Sequence, residues 1–415
     1  MQFFVESYGC TMNFGEGDEL SERMGSLGHV LSASADDADI VILNTCTVVD
    51  TTEKKMIKRI SDLKGLGKEV IVTGCMAKAQ PQRIHIRLPD SIVLPPENYD
   101  KFAELVGDRY GISEGPLFKS GSGDQCTAIL PIAQGCLGNC SYCITRIARG
   151  KLKSYPVEEL TGKFKTMVER GAKEILVTAQ DTGCYGRDIG TNLPKLISEF
   201  LRTEGEYRIR IGMMNPNNLG MLDELLDAMS DDRVYKFLHI PVQSGSDDIL
   251  KRMNRQYTAE EFRNIVKTIR ARYPDMSIAT DIISGFPGES DDDHEKSVEL
   301  ISGLGAETVN VTRFSARPET PAFSMKEQIH GRVAKSRSRD ITDTRSSAAL
   351  EQNKRFVGTA HRALVTEKGK EGTVIARTGN YRPVAVTADL PLGEFIDIEI
   401  TKAESTHLIG RMLNK

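Results

Sequence analysis

The segment Cys136-Leu-Gly-Asn-Cys140-Ser-Tyr-Cys143 decides the fold, because it brings three thiols onto one short loop. It follows Thr127–Gln134, a β-rich run that is predicted to form a strand. Thiolates at this Cys-x3-Cys-x2-Cys spacing can all face one iron–sulfur cubane, and soft sulfur ligands suit such clusters. Three thiolates leave the fourth iron of a 4Fe-4S cluster open. An open iron can chelate S-adenosylmethionine, whose one-electron cleavage starts radical chemistry.

Two other interpretations of this loop are a zinc site and a group of buried free thiols. Structural zinc usually takes a fourth protein ligand and paired Cys-x2-Cys spacing. No histidine lies near this loop in the sequence, since the seven histidines stand at positions 29, 85, 239, 294, 330, 361 and 407. The spacing therefore favours a radical cluster.

Outward from the loop, residues 127–316 repeat a strand–helix unit six times. Amphipathic helical patterns such as Val157–Arg170 and Ala259–Arg272 separate the β-rich runs. A closed barrel of this type has eight units, so the pattern predicts a partial, open βα barrel over residues 126–325. The predicted strands are Thr127–Gln134, Glu174–Asp181, Arg208–Asn215, Lys236–Gln243, Ser277–Ser284 and Thr308–Ser315.

Residues 1–116 show the same alternation, which predicts an open, mostly parallel sheet. Ligand sites of parallel sheets lie beyond the carboxyl ends of the strands. A lone cysteine there is more often a buried apolar residue, but three after consecutive strands predict a second cluster. The predicted strands are Gln2–Ser7, Asp39–Leu43 and Glu69–Thr73, and the cysteines that follow them are Cys10, Cys46 and Cys75.

The pattern changes outside these two regions. The glycine-containing segment Gly111–Gln125 predicts a linker, and the polar, basic residues 326–354 predict a helical connector. Residues 355–415 alternate short β-rich runs with turns such as Gly379-Asn380, which predicts a small all-β barrel of the type that holds nucleic acid. The five runs lie near 361–367, 372–378, 382–387, 394–401 and 406–413.

Charge is unevenly distributed along the 415 residues, whose formal net charge is -4. Residues 326–415 hold 16 basic and 11 acidic side chains, and a basic end favours a nucleic-acid partner, although such charges can also only solubilise a domain. Phosphate contacts or base stacking are predicted at Lys368, Lys370, Arg377, Arg382, Tyr381 and Phe356. A solvated helix face is predicted at Arg332, Lys335, Arg337 and Arg339.

The cellular compartment is predicted from two features that the sequence does not show, a membrane-spanning run and a signal peptide. No apolar run approaches the roughly 18 residues that span a bilayer, and the start, Met-Gln-Phe-Phe-Val-Glu, has no feature of a signal peptide. We therefore expect a cytoplasmic protein without a membrane partner. Eight cysteines in such a protein indicate metal or redox chemistry rather than a disulfide scaffold.

Further cofactor contacts are predicted where barrel strands end. Gly285-Phe-Pro-Gly-Glu289 gives a tight turn that a nucleoside could approach, although such a string is often only a βα loop. Among the histidines, His239 alone is expected near the site, where a structural role fits equally well, and no residue is a clear general base. The predicted cofactor contacts are Gln180, Asp181, Gln243, Ser244, Gly285, Gly288 and Glu289.

Four motifs carry a resemblance to a known family: Tyr8-Gly-Cys-Thr-Met-Asn13, Asn44-Thr-Cys-Thr-Val48, Gly74-Cys-Met-Ala77 and Cys136-x3-Cys-x2-Cys143. They resemble the radical S-adenosylmethionine (SAM) methylthiotransferases over essentially the whole chain. The resemblance implies a cluster domain (1–116), a radical barrel (126–325), the connector (326–354) and a TRAM domain (355–415). It implies an auxiliary 4Fe-4S cluster that delivers sulfur at Cys10, Cys46 and Cys75, and the radical cluster at Cys136, Cys140 and Cys143. Cys126 and Cys184 are assigned to neither.

The archaeal and eukaryotic branch of that family is the most similar, in Thr52-Glu53 and Met56, and in Gln180-Asp-Thr-Gly183 with Tyr185-Gly-Arg-Asp188. That branch converts N6-threonylcarbamoyladenosine at position 37 of tRNA, next to the anticodon, to its 2-methylthio form. The implied partners are the tRNA anticodon stem-loop, an electron donor and a sulfur donor. The alternatives are methylthiolation of N6-isopentenyladenosine or of a ribosomal-protein aspartate, a two-cluster electron carrier without a substrate, and a zinc-containing RNA-binding module.

Overall fold

The structure is a computed structural model that describes residues 1–48, 50–112, 126–370 and 372–413. Most of the predicted linker Gly111–Gln125 lies outside these residues. Within the described ranges, no helix has the length and apolar character that a membrane crossing requires.

The N-terminal part is a five-stranded parallel sheet with the strand order β2-β1-β3-β4-β5. Apolar side chains fill both of its faces, and the central strand is buried along its whole length. The predicted sheet is confirmed, with two short strands added. Its elements are β1 Gln2–Ser7, α1 Thr11–Ser26, β2 Val30–Leu31, β3 Ile40–Thr45, α2 Asp50–Gly65, β4 Glu69–Gly74, α3 Cys75–Ala79, α4 Pro81–His85, β5 Ile92–Leu94 and α5 Phe102–Tyr110.

The middle part is the partial barrel, built from two three-stranded parallel sheets, β10-β9-β6 and β11-β12-β13. The two sheets adjoin where Ile209 pairs with Val234. Its elements are β6 Thr127–Pro131, β7 Ala133–Gln134, α6 Thr145–Arg149, β8 Lys153–Ser154, α7 Val157–Glu169, β9 Glu174–Thr178, α8 Leu193–Phe200, β10 Arg208–Ile211, α9 Leu222–Ala228, β11 Phe237–His239, α10 Asp247–Arg252, α11 Ala259–Arg272, β12 Ser277–Ser284, α12 Asp291–Leu304 and β13 Thr308–Arg313.

Two features join the sheet to the barrel. Helix α1 lies against β6, where Gly15 leaves room for the Ile129 side chain: a Cβ at Gly15 would lie 2.7 Å from it. The antiparallel pair β7–β8 brackets the Cys136–Cys143 loop. The first barrel strand therefore carries both the radical loop and the docking surface for the N-terminal sheet.

The C-terminal part confirms the five predicted strands, which form a closed barrel in the order β14-β15-β16-β18-β17. The connector contains one long helix before it. The elements are α13 Gly331–Lys354, β14 Ala360–Lys368, β15 Thr373–Thr378, β16 Pro383–Thr387, β17 Phe395–Ala403 and β18 Leu408–Met412.

The basic face predicted on α13 is only partly solvated. Arg337 is buried, and its guanidinium donates to Glu289 at 2.8 Å and to Asp291 at 2.6 Å. A buried arginine that bonds two carboxylates holds α13 against α12 and the loop before it. The prediction of a solvated face is therefore wrong for Arg337.

Candidate iron–sulfur site

The three N-terminal cysteines lie at the carboxyl ends of three neighbouring strands. Cys10 follows β1 and precedes α1, Cys46 follows β3, and Cys75 is the first residue of α3 after β4. Gly9 has a φ of +112°, and a Cβ there would lie 2.9 Å from the Cys46 sulfur. Glycine is therefore required for the Cys10 loop to lie against Cys46.

The same thiols influence one another electrostatically. Burial raises the pKa of the Cys75 thiol to about 12; the Arg149 guanidinium opposes this shift, and the thiols of Cys46 and Cys10 add to it. A bound cation would reverse that preference by holding the thiols as thiolates. This donor set fits an iron–sulfur cluster.

The second set lies on the loop between β7 and α6. A Cβ at Gly138 would lie 3.2 Å from the Cys136 sulfur and 3.7 Å from the Cys140 sulfur, so both sulfurs lie on the same side of the loop. Backbone amides point at the sulfurs: Gly138 N lies 3.2 Å from Cys136 Sγ, and Thr145 N lies 3.4 Å from Cys143 Sγ. Amide donors to thiolates are typical of iron–sulfur loops, so this donor set also fits a 4Fe-4S cluster.

A buried polar network that sequence reasoning missed supports the radical loop. Arg255 donates to the Tyr142 hydroxyl at 2.6 Å and to Asn215 Oδ1 at 2.7 Å, and its guanidinium lies over the rings of Tyr142 and Tyr257. Ser141 bonds the backbone at the end of α10 through its amide and its hydroxyl. The loop is thereby fixed from the opposite side of the barrel.

Gln180 and Asp181 lie beside this loop, as predicted, but both hold protein groups. Gln180 Oε1 accepts from Gly135 N at 2.7 Å, just before Cys136. Asp181 is buried and accepts from Gly183 N, Asn215 N and Asn218 Nδ2. Protein donors therefore hold the Asp181 carboxylate in place, and its contact with the cofactor stays a prediction.

Gln243 and Ser244 differ from each other. Gln243 has a φ of +75°, a conformation that costs a non-glycine residue energy and that occurs often at functional sites. The Ser244 hydroxyl instead accepts from Ser246 N and lies 3.4 Å from the Ser297 hydroxyl on α12. Ser244 is therefore turned towards a helix, and its contact with the cofactor ribose stays a prediction.

The loop at Gly285, Gly288 and Glu289 is explained by helix packing. A Cβ at Gly285 would overlap Ala334 of α13, and one at Gly288 would overlap the Arg252 guanidinium. Glu289 accepts from Gly285 N at 2.7 Å as well as from α13. Packing and loop closure explain the residue types at these three positions, and their contacts with the cofactor stay predictions.

Three predicted RNA contacts lie instead between the small barrel and the radical barrel. The Tyr381 ring packs on Tyr235 and Phe237, with centroids 4.8 and 4.9 Å apart. Arg377 lies over that ring and bonds Glu367. Arg382 is buried and bonds Glu307 at 2.8 Å. Protein contacts engage these three side chains, Arg377 within the small barrel and Tyr381 and Arg382 across to the radical barrel, and their role in RNA binding stays a prediction.

The other three predicted RNA contacts differ in how exposed they are. Phe356 is buried under the Arg382 guanidinium, whose carbon lies 4.2 Å from the ring centroid. Lys368 and Lys370 remain exposed, and the ammonium of Lys368 bonds Asp389 at the surface. Of the six predicted contacts, Lys368 and Lys370 are therefore the exposed ones, whereas Arg377 and Tyr381 are half-buried.

We expect Arg382→Ala to lower the free energy of unfolding by about 3 kcal/mol, because it leaves the largely buried Glu307 carboxylate with the more distant cation of Arg270, 4.0 Å away. Denaturant unfolding measures this change. Lys370→Ala is the matched control and should change it by less than about 0.5 kcal/mol. Equal, small changes for both variants would contradict the interface role of Arg382.

Two buried arginines of the barrel part reach into the N-terminal sheet. Arg149, the last residue of α6, bonds Glu16 and has a side chain only 1% exposed. Arg317, after β13, bonds Glu53 at 3.0 Å and is 6% exposed. Sequence reasoning missed both; the one available signal is that Arg149 follows the radical loop closely.

The remaining cysteines do not join either set. Cys126 Sγ faces the backbone of Val365 and Thr366 in the small barrel, and Cys184 Sγ bonds the carbonyl oxygen of Asp181. His239 bonds Asp281 at 2.8 Å inside the barrel. These residues have structural partners.

Comparison with known proteins shows which families this chain resembles. Three family models match: "Radical SAM superfamily" at residues 130–301, "Uncharacterized protein family UPF0004" at residues 2–94 and "TRAM domain" at residues 354–413. A solved radical S-adenosylmethionine methyltransferase, TsrM from Kitasatospora setae, superposes with a TM-score of 0.58 at 12% identity, covering 78% of this chain and 73% of that one. At that identity the likeness shows the fold alone.

Curated relatives match along the full length. A protein of Pyrococcus horikoshii named "Probable threonylcarbamoyladenosine tRNA methylthiotransferase" is 42% identical over 100% of both chains. The human "Threonylcarbamoyladenosine tRNA methylthiotransferase" is 32% identical over 99% of this chain and 74% of its own.

Proposed function

The chain belongs to the radical SAM threonylcarbamoyladenosine tRNA methylthiotransferases, and from this we propose that it converts N6-threonylcarbamoyladenosine at position 37 of tRNA to its 2-methylthio derivative. The observation that supports this most is the pair of three-thiol sets, one at the edge of the N-terminal sheet and one on the first barrel loop. Sulfur delivery and C–H activation need separate sites, and the chain offers two.

Membership of the family implies S-adenosylmethionine and a 4Fe-4S cluster. We propose two such clusters, an auxiliary one at Cys10, Cys46 and Cys75 and the radical one at Cys136, Cys140 and Cys143. The bound cofactors supply one-electron chemistry that opens an unactivated C–H bond. The domain division 1–116, 126–325, 326–354 and 355–415 is proposed with them.

The protein's own residues hold and shield the reacting groups. Tyr142, Phe286 and Phe314 pack edge to face beside the radical loop, with centroids 6.3 and 5.2 Å apart, and exclude water from it. Arg255 orients Tyr142 through its hydroxyl. Arg149 and Arg317 hold the N-terminal sheet against the barrel, which fixes one thiol set relative to the other.

The proposed partners are the tRNA anticodon stem-loop, an electron donor and a sulfur donor in the cytoplasm. Mass spectrometry of tRNA nucleosides from cells that lack the gene tests the substrate. We expect loss of 2-methylthio-N6-threonylcarbamoyladenosine and accumulation of its precursor. Loss of the 2-methylthio isopentenyl nucleoside, or of a methylthiolated ribosomal-protein aspartate, would contradict the assignment.

Lys368→Glu/Lys370→Glu should weaken tRNA binding about tenfold or more, because both exposed ammonium groups are proposed to contact phosphates. The slope of log affinity against log salt should fall by about one for each lost contact. Lys195→Glu/Lys267→Glu makes the same charge change on the exposed faces of α8 and α11 and is the control. An equal loss in both pairs would show a general charge effect and would contradict the proposed RNA contacts of Lys368 and Lys370.

A further inference from the structure

We propose that Arg149 is a positioning residue for the auxiliary cluster and that it raises the reduction potential of that cluster by donating an N–H bond to the sulfur of Cys75. The inference rests on the proposed function, because it takes Cys10, Cys46 and Cys75 as cluster ligands. It concerns a residue of the barrel part that acts on a site of the N-terminal sheet.

All three nitrogens of the Arg149 guanidinium have partners in the N-terminal part, on helices α1 and α3. Nε lies 3.2 Å from Cys75 Sγ, Nη2 lies 2.6 Å from Asn13 Oδ1, and Nη1 bonds the Glu16 carboxylate. The planar group therefore cannot turn its Nε away from the sulfur without breaking two other bonds. The contact is built into the fold.

The physical effect follows from the chemistry of the ligand. A hydrogen bond to a cluster thiolate, and a positive charge near it, withdraw electron density from the metal centre and make it easier to reduce. The buried surroundings strengthen both effects, because few water molecules screen them. Glu16 offsets part of the charge, and its second oxygen has no hydrogen-bond partner among the residues that the structure describes.

The competing explanation is that Arg149 only joins the two parts of the chain. Arg317 is a matched control, because it also crosses from the barrel part into the N-terminal sheet and is equally buried. Its hydrogen bond goes to the Glu53 carboxylate, however, and not to a cysteine. If docking alone matters, substitutions at the two arginines will behave alike.

The test uses the full chain with Cys136, Cys140 and Cys143 changed to alanine, so that only the auxiliary cluster remains. Arg149→Gln, Arg149→Lys, Glu16→Gln and Arg317→Gln are added singly. The midpoint potential is measured by anaerobic, dye-mediated reductive titration followed by electron paramagnetic resonance. We expect a more negative potential for Arg149→Gln, a smaller shift for Arg149→Lys and an unchanged potential for Arg317→Gln.

Glu16→Gln keeps an acceptor for Arg149 but removes the opposing charge, so its potential should shift to a more positive value. If Arg149→Gln fails to hold iron, the midpoint potential of Glu16→Gln still tests the inference. An unchanged potential in Glu16→Gln or Arg149→Gln, or an equal shift in Arg317→Gln, would overturn the inference. A parent without about four irons per chain would instead overturn the auxiliary cluster itself, and with it the proposed function.

Discussion

We expect alanine at Cys10, Cys46 and Cys75 to abolish the methylthio product while the cleavage of S-adenosylmethionine continues. These thiols lie at the sheet edge and are the proposed sulfur site, whereas the radical loop is held by its own contacts to α10 and Arg255. Iron should fall from about eight to about four per chain. Liquid chromatography of 5′-deoxyadenosine and of the tRNA nucleosides measures the two half-reactions separately.

The control for this experiment is Cys126→Ala. Its thiol is buried against backbone carbonyl groups of the small barrel, outside both sets, so iron content and product should stay near those of the parent. Product formation by the Cys10/Cys46/Cys75 variant would show that the sulfur comes from elsewhere. Loss of iron in the control would show that a cluster ligand had been assigned wrongly.

The second large effect is expected from alanine at Cys136, Cys140 and Cys143. Without these thiolates no iron on the loop can be left open for S-adenosylmethionine, so cofactor cleavage and methylthio transfer should both fall to background. About four irons should remain at the N-terminal site, because its three thiols follow three strands of the N-terminal sheet and are not part of the radical loop. Iron analysis and 5′-deoxyadenosine measurements test this together. Zinc in place of iron in the anaerobically reconstituted parent would contradict both cluster assignments.

Much of the fold is predictable because its elements repeat with a clear period. The six barrel strands and the five strands of the C-terminal barrel alternate with helices or turns, and each appears near its predicted place. Strands β2 and β5 were missed because two or three edge residues carry no pattern. The fourth barrel strand is shorter than predicted, since Pro241 lacks an N–H and Gln243 leaves the extended conformation.

Some parts of the site could be predicted from the sequence and others could not. Cysteines in a cluster spacing reveal a site, because few other chemistries need thiols at those intervals. Contacts between distant segments leave no such trace: Arg149 meets Glu16, and Arg382 meets Glu307, across many residues. Tyr381 shows the same limit, since a turn residue that looks solvated in the sequence packs on Tyr235 and Phe237 once the two barrels dock.

The short helix α6 has a consequence for recombination between relatives. The radical loop ends at Cys143, and Arg149, at the end of the helix that follows, inserts into the N-terminal sheet beside Asn13 and Glu16. A crossover placed in the predicted linker, residues 111–125, would pair a foreign Arg149 segment with the N-terminal part, whereas one placed after β8 would transfer the sheet, loop and helix as a block. Chimeras cut at the second place should inherit a working pair of sites, so the unit of exchange is larger than the domain.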